Sequence, residues 1–569
     1  MRAILTTITA ALLLLTPTAA LPLAVAPASP PPARTPQCPA PGYPDTAALL
    51  AALPGAPYAC AEELAAALRP RADLATTDAL ITLAATGPHA LARRNALRAL
   101  GRLAESPRGS RARELVLQAR AARLRATLSG LLAGEQDNFL VQDAVWLVDS
   151  FFYPSFHDGP ALTRLAADPA LAPALRYRAA AARARLIYAR PGPLASDDRA
   201  FIHGGLQSDS PGVRAAAALA VAHLRNAQLD TRLRAELDTA LAAAWAAEPA
   251  LQLAPDQPPP VMGFAESSPT SLTARAAIAR ARDRLAGGTT HLARLRIDYE
   301  ALALPNRLSA NGVTLRSGLP VAQLTPLLAE ITHTQATFNA IVGPELSGPI
   351  PGEDGPALSV FIFARQGIYR DYLRAFTSFT VDVDGVYDEL TATLYTHART
   401  AEQSANSLEQ TLRHELAHHL AGRQIFPGHW QSPGYHAEPK GWADEGLAEL
   451  LAGAGPAGPA PRPAQLGRLC ALRAPPALGE LLARRAGYDH FGHFDYDAAW
   501  ALSYYLYRER PAALRRLYAA FRDGSYRLAG WPRIVGAPLA TLEAEWHAAI
   551  SGWCEGHVNV VRPAIEAAG

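Results

Sequence analysis

Residues Thr411 to Trp430 read TLRHELAHHLAGRQIFPGHW and contain the pattern H-E-x-x-H. On a helix, His414 and His418 stand four residues apart, on one face and one turn above each other. Two imidazoles in that register can hold one tetrahedral zinc ion. Glu415 lies beside them, placed to polarise a water molecule and accept its proton. The same five letters also occur on ordinary solvated helices, so the reading turns on a third ligand. The segment GWADEGLAELLAG supplies one: Glu445 sits on a second helix with 26 residues between it and His418. A helix–loop–helix of that length returns Glu445 to the metal and leaves a fourth position for water. Trp442 is the bulky residue entering that helix, and Gly446 and Ala448 are small where the two helices would pack. Glu449, one turn after Glu445, is either a solvated helix glutamate or a hydrogen-bond partner that orients a ligand histidine from behind.

Positioning these side chains requires strands and helices in the second half of the chain. From about Leu292, RLSANGVTLRSGLP and PALSVFIFA (Pro356 to Ala364) read as strands, with a helix, PVAQLTPLLAEITHTQATFNAIVG, between them. GVYDELTATLYTHA (Gly385 to Ala398) alternates as a further strand, ahead of the H-E-x-x-H helix and the helix beginning near Trp442. The run AGAGPAGPAPRP ends that second helix, and the remainder from Ala464 reads as helical. Residues Asp45 to Glu248 repeat Ala and Leu at helical spacing with Arg opposite, as in DALITLAATGPHALARRNALRALGRLAE and SDSPGVRAAAALAVAHLRNA. These are either HEAT-like pairs, which stack because one pair cannot bury its apolar stripe, or the helices of a non-repeating all-α domain. The expected organisation is a signal peptide over 1–26, a Pro-rich leader over 27–44 and a helical domain over 45–248. A linker over 249–291, a mixed α+β domain with the metal site over 292–455 and a helical subdomain over 456–569 complete it.

The chain has 569 residues, enough for two or three domains, and 49% of them are hydrophobic, enough for sizeable cores. A net charge of +2 argues against nucleic acid or an anionic membrane as the main partner. Lys440 is the single lysine among 53 basic residues; with abundant Ala, Gly and Pro this reads as GC-rich coding bias and carries no function. The N-terminus, MRAILTTITAALLLLTPTAA, has one Arg, a short apolar run and small residues at Thr18, Ala19 and Ala20, the pattern of a secretory signal peptide. Pro17 and Pro22 break the run short of the roughly 20 residues a membrane span needs. The mature chain is therefore expected to be secreted or periplasmic, without a membrane anchor. Four cysteines, Cys38, Cys60, Cys470 and Cys554, form no C-x-x-C pair, which argues against a zinc–thiolate site. In an exported chain they are candidates for disulfides. Cys38–Cys60 with Cys470–Cys554 is one of three connectivities, and four buried thiols are the alternative.

At these residues the chain resembles the gluzincins, the metallopeptidase clan with H-E-x-x-H and a downstream E-G-x-A glutamate. More narrowly, HELAHHLAGRQIFPG followed by WADEGLAEL is similar to the bacterial collagenase pattern H-E-x-x-H-Y-L-x-G-R, P-G, W-x-x-E-G-x-A-E. DGVYDEL upstream is similar to that family's G-G-M-Y-x-E edge strand. The resemblance covers roughly Leu292 to Tyr518 by motif and reaches the N-terminal half only by architecture, where it implies an activator domain. It implies a multidomain fold: an all-α HEAT-like domain, an α+β thermolysin-like (gluzincin) peptidase domain and a helical C-terminal subdomain. It also implies one catalytic zinc, a structural calcium, and endopeptidase action on proteins or peptides, with collagen and gelatin among the candidates. FDYDAAWALSYYLY is similar to the gluzincin helix that carries a catalytic tyrosine, which implies Tyr496 as an oxyanion donor, with Tyr488 and His493 as neighbouring alternatives. The calcium would lie between the Glu389 carboxylate and backbone carbonyls around Gly422 to Phe426. Three positions depart from the pattern: His419 replaces a tyrosine, Asp384 the first glycine of the edge strand, and Ala499 a glycine of the tyrosine helix. The alternatives are a gluzincin aminopeptidase, which the lack of a G-x-M-E-N segment disfavours, and a helical-repeat binding protein with a vestigial metal site. Intact His414, Glu415, His418 and Glu445 disfavour the latter. The chain ends soon after the catalytic region, without room for a collagen-binding β-sandwich, so soluble peptides and other proteins are expected as substrates too.

Overall fold

The computed structural model describes residues 45–566, apart from 107–108, 136, 153–155, 157, 255–268, 353–356, 380–382, 402, 431, 433–434, 473–476 and 486–492. The expected signal peptide and leader, Cys38 and Tyr488 lie outside the described residues. Among the described residues no helix is long and apolar enough to cross a membrane.

Most of the chain is helical, and its apolar side chains collect in three cores. The first runs from Leu49 to Leu285 and is built from short helices. Most of these helices start on an Asp or Ser whose side chain accepts the N–H three residues on, as at Asp73, Asp137, Asp158, Ser210 and Asp230. Each such cap contributes about 1 kcal/mol and fixes where the chain re-enters a helix after a turn. Alanine-rich faces then let the helices approach closely: a Cβ on Gly205 would lie 2.7 Å from the Ala217 Cβ.

Residues 249–291, expected as a linker, contain a helix over Ser271–Ala286, so that expectation is corrected for this part. The helix is buried on two sides. Ala274, Ala277, Ile278, Ala281 and Leu285 join the first core, while Leu272, Ala276 and Ala279 join the third. Its sequence, SLTARAAIARARDRLA, mixes Ala with Arg and shows no single apolar stripe, which is why periodicity does not reveal it. The arginines reach outward: Arg275 donates to the Glu248 carbonyl (2.9 Å), Arg284 to that of Leu224 (3.0 Å) and Arg280 to that of Ala375.

The sheet has five strands: β1 (Asn306–Ala310), β2 (Val313–Ser317), β3 (Leu358–Phe363), β4 (Gly385–Asp388) and β5 (Thr393–His397). Their order is β1-β2-β3-β5-β4, with β2–β3 and β3–β5 parallel and the outer pairs antiparallel. Asn311 and Gly312, at φ +52° and +76°, close the β1–β2 hairpin with the left-handed pair such a two-residue turn needs. GVYDELTATLYTHA is two strands rather than one. Asp388 accepts from Leu390 N (3.1 Å) and Thr391 Oγ1 (2.7 Å), and Ala392 takes φ +45°. The apolar alternation runs on through this side-chain-made turn and hides it.

The helices that matter for the site are α1 (Val321–Val342), α2 (Gln366–Phe376), α3 (Leu408–Gln424), α4 (Gly441–Ala452), α5 (Pro463–Cys470), α6 (His493–Glu509) and α7 (Leu539–Glu566). The two-residue period of β3 divides them between the faces of the sheet. Leu358, Val360 and Ile362 pack into the second core with α1 and with Leu412, Leu416 and Leu420 of α3. Phe361 and Phe363 pack into the third core with Tyr369 and Tyr372 of α2. Beyond α4 a short antiparallel ladder, Ala454–Gly455 with Gly458–Pro459, leads into further helices, and a Cys470–Cys554 disulfide (Cα–Cα 5.5 Å) ties α5 to α7. Cys60 is fully buried in the first core.

Candidate active site

Helix α3 opens with a reciprocal cap. Ser407 Oγ accepts from Gln410 N (3.2 Å), and Gln410 Oε1 accepts from Ser407 N (2.8 Å). With its leucine stripe buried under the sheet, the helix turns His414 and His418 toward α4 and Glu415 toward β4. Every residue of α4 is buried, including Asp444, Glu445 and Glu449. Buried carboxylates on one dry helix are costly unless partnered, and Asp444 and Glu449 find partners on α3 and at the start of α5.

The imidazoles are held from behind. His418 Nδ1 lies 2.9 Å from Asp444 Oδ1, and His414 Nδ1 lies 3.3 Å from Glu449 Oε1. Donation of Nδ1–H to a carboxylate leaves each Nε2 as a free lone pair. The two Nε2 atoms are 3.2 Å apart, with Glu445 Oε2 at 3.5 Å from His414 Nε2 and 3.6 Å from His418 Nε2. These three groups each offer a ligand atom within 4.8 Å of the others. Glu449 is buried rather than solvated: its Oε2 accepts from Gln465 Nε2 (2.9 Å) and pairs with the Arg462 guanidinium. Asp444, Arg462 and Gln465 are absent from the sequence reading. Asp444 carries no signal beyond that of a first-turn helix acid, and Arg462 and Gln465 lie at and just past the end of a Pro/Gly-rich run.

Two observations test whether these residues fit zinc. Glu445 Oε2 is buried and, among the described residues, has no hydrogen-bond partner, although it faces two nitrogen lone pairs. The local field also favours a cation. Burial pulls the His418 imidazole down, yet Asp444 and Glu445 outweigh it and raise the group to about 9. An orphaned carboxylate oxygen, two aligned imidazoles and an excess of negative charge suit a divalent ion with nitrogen and oxygen ligands. Burial also pushes the Glu415 carboxyl up, against the pull of both histidines.

Strand β4 lies directly on this helix. A Cβ at Gly385 would come within 2.6 Å of Thr411 Cγ2 and 2.9 Å of Glu415 Cγ, so only glycine permits the approach. Tyr387 OH meets His419 Nδ1 at 2.8 Å, joining strand to helix at the position where the family pattern has tyrosine. Asp384 is tied down too, by Arg399 (3.2 Å) and by the Ser404 hydroxyl.

Helices α4 and α6 interlock where Gly446 meets Ala499; a Cβ on Gly446 would lie 2.6 Å from the Ala499 carbonyl oxygen. Tyr496 stands one turn before that contact, half-buried against the second core. The side chain of His493 lies outside the described residues.

Several of the expected calcium ligands accept hydrogen bonds within the protein. Glu389 Oε2 already accepts from Trp430 N (2.7 Å) and its Oε1 from Tyr435 OH (3.4 Å). The Arg423 carbonyl accepts from Ile350 N (2.7 Å), and that of Gln424 from the Arg522 guanidinium (2.9 Å). These oxygens accept from the protein's own N–H and O–H donors.

A helical H-E-x-x-H that converges with a glutamate from the next helix, beside an edge strand, is the arrangement of a zinc metalloprotease. The collagenase family model of M9 peptidases matches residues 262–546, half of the chain. The chain belongs to that family, whose members are zinc-dependent. It is similar to collagenase ColA of Clostridium perfringens, 37% identical over 103 residues, 18% of this chain and 9% of that protein. ColT of Clostridium tetani is 25% identical over 205 residues, 34% of this chain and 20% of its own. ColQ1 of Bacillus cereus is 28% identical over 228 residues, 39% and 23% respectively. The chain thus aligns with less than a quarter of the length of each of these relatives.

Proposed function

We propose that this chain is an exported zinc endopeptidase that hydrolyses peptide bonds in proteins and unfolded peptides, gelatin among them. The observation that carries the reading is the convergence of His414 Nε2, His418 Nε2 and the orphaned Glu445 Oε2. Zinc held by these three supplies Lewis-acid activation of water and of the scissile carbonyl. Glu415 takes the water proton and passes it to the leaving amine; its burial beside Gly385 places the carboxyl at the metal position rather than in solvent. Asp444 and Glu449 hold the imidazoles in the tautomer that binds metal. Strand β4 ends the sheet, and its outer edge is where an extended substrate backbone adds as a further strand, over Glu415. In this reading the N-terminal helices form a HEAT-like activator domain, and the sheet with α3 and α4 a thermolysin-like peptidase domain. Export rests on the signal-like N-terminus.

The test is cleavage of gelatin, triple-helical collagen and short peptides by purified protein, with and without a chelator. Gelatin and peptides should be cut, chelation should abolish this, and zinc should restore it. Full activity in metal-free protein would overturn the assignment.

Tyr496 is proposed as the oxyanion donor, supported by its place one turn before the α4–α6 contact. Loss of such a donor costs about 10²–10³ in rate. Tyr496→Phe should therefore lower kcat by that order with little change in KM, since the bond strengthens in the transition state. A near-normal kcat would leave Tyr496 as core packing.

A further inference from the structure

Strand β4 lies at the edge of the sheet with β5 as its single neighbour. It packs on α3 at Gly385, where a Cβ would clash with both Thr411 and Glu415. Two side-chain links hold this approach, one toward each end of the strand. Toward its C-terminal end the Tyr387 hydroxyl meets His419 Nδ1 at 2.8 Å. Where the chain enters β4, the link is Arg399. Its side chain is 1% exposed, and all three of its nitrogens are engaged.

Arg399 Nη1 donates to the Thr411 hydroxyl of α3 (3.0 Å) and pairs with the Asp384 carboxylate (3.2 Å). Nη2 donates to the Asp384 carbonyl (2.9 Å) and to Thr396 Oγ1 (2.5 Å), and Nε to the His397 carbonyl (3.2 Å). Thr396 Oγ1 in turn donates to the same Asp384 carbonyl (2.9 Å), and Thr396 is the register partner of Gly385. One guanidinium therefore joins the end of β5, the entry to β4 and the first turn of α3. A planar fork of donors suits such a junction, and the point charge of a lysine does not. Asp384 takes part with a carboxylate at the position where the collagenase pattern has glycine.

Thr411, Glu415 and His419 follow one another at intervals of four residues, so they form one stripe along α3 with Glu415 at its centre. The two links to β4 thus lie one turn to either side of that carboxylate. We propose that Arg399 is a positioning residue: with Tyr387–His419 as the second pin, it fixes the distance of β4 from Glu415. That distance decides where a peptide paired along the strand presents its scissile bond. The inference rests on the reading of Glu415 as the general base and of β4 as the substrate edge. Without the pins, a strand loaded by substrate on its open side is held laterally by its ladder to β5. With them, it moves only together with the helix that carries the base.

The experiment uses the full zinc-loaded protein and a peptide of about ten residues, long enough to pair along β4, with kcat and KM measured separately. Thr411→Val keeps the shape of the side chain and removes the hydroxyl that Arg399 reaches. It should lower kcat by about 10–10²-fold, the order that a substrate misplaced by roughly 1 Å costs. KM, zinc content and far-UV circular dichroism should stay near wild type. Thr411→Ser, which keeps the hydroxyl, should retain kcat, and Tyr387→Phe, which cuts the other pin, should reproduce the loss. Asp384→Ala reads the Arg399 link from the strand side should Thr411→Val not fold. Its loss of kcat should be smaller, because the carbonyl at that position still accepts from Nη2. A rise in KM with kcat intact would mean that the links merely keep the strand folded, and would overturn the proposal. Equal kcat in Thr411→Val and Thr411→Ser would overturn it too. A wild type without zinc or hydrolysis would sink the peptidase reading itself, and a zinc-active wild type with unaffected variants would sink this inference alone.

Discussion

Glu415→Gln should keep its zinc and lose nearly all hydrolysis, by about 10²–10⁴-fold in kcat, the usual contribution of a positioned general base. Glu415 is 8% exposed, packs against Gly385 of β4, and is not among the three groups that converge on the metal position. Glutamine fills the same space and leaves the Nε2 atoms and Glu445 untouched, so the geometry of the ligands survives. What it cannot do is accept a proton from water. Metal analysis beside steady-state kinetics checks the result: zinc stoichiometry should match wild type while kcat collapses. Loss of zinc in parallel with activity would make Glu415 part of the binding set instead.

Glu445→Gln should do the reverse and weaken zinc binding first. Among the described residues Glu445 Oε2 has no hydrogen-bond partner, so the substitution removes mainly an anionic ligand. The drop should exceed the roughly 10–100-fold that follows loss of a mere outer partner. Competition against a chromogenic chelator measures it, and excess zinc should recover part of the activity, which it should not do for Glu415→Gln. Equal zinc affinity in the two variants would show that these roles are misassigned.

What the sequence reveals here depends on whether the chemistry is local along the chain. His414, Glu415 and His418 are legible because helical geometry alone puts them together, and Glu445 because a motif spacing points to it. Glu449 is half legible, since one turn separates it from Glu445 but nothing in the sequence names its histidine. Asp444 is illegible: beside Glu445 it reads as a helix-start acid, and only the packing of α4 on α3 brings it to His418 Nδ1. Arg462 sits in a Pro/Gly-rich run that periodicity treats as a terminator, yet it holds Glu449 across the α4–α5 turn. The sheet is legible at β1, β2 and β3, where turn residues and apolar runs are distinct. At β4 and β5 a turn made by the Asp388 side chain keeps the alternation of its flanks, so two strands read as one. At the expected calcium position a motif places a carboxylate and a stretch of carbonyls, but only the fold shows that Glu389 and the Arg423 and Gln424 carbonyls accept hydrogen bonds there.

The helix over Ser271–Ala286 has only its last residue exposed, and its apolar residues are divided between the first and third cores. An element in that position has no wet face to slide on. Relative movement of the N-terminal helices and the sheet about this helix would have to open one of two dry interfaces, each costing about 25 cal/mol per Å² of apolar surface wetted. The segment therefore acts as a shared wall and not as a joint, and the two halves of the molecule owe their integrity to each other. A substitution that loosens Ala276 or Ile278 would be felt on both sides of it at once.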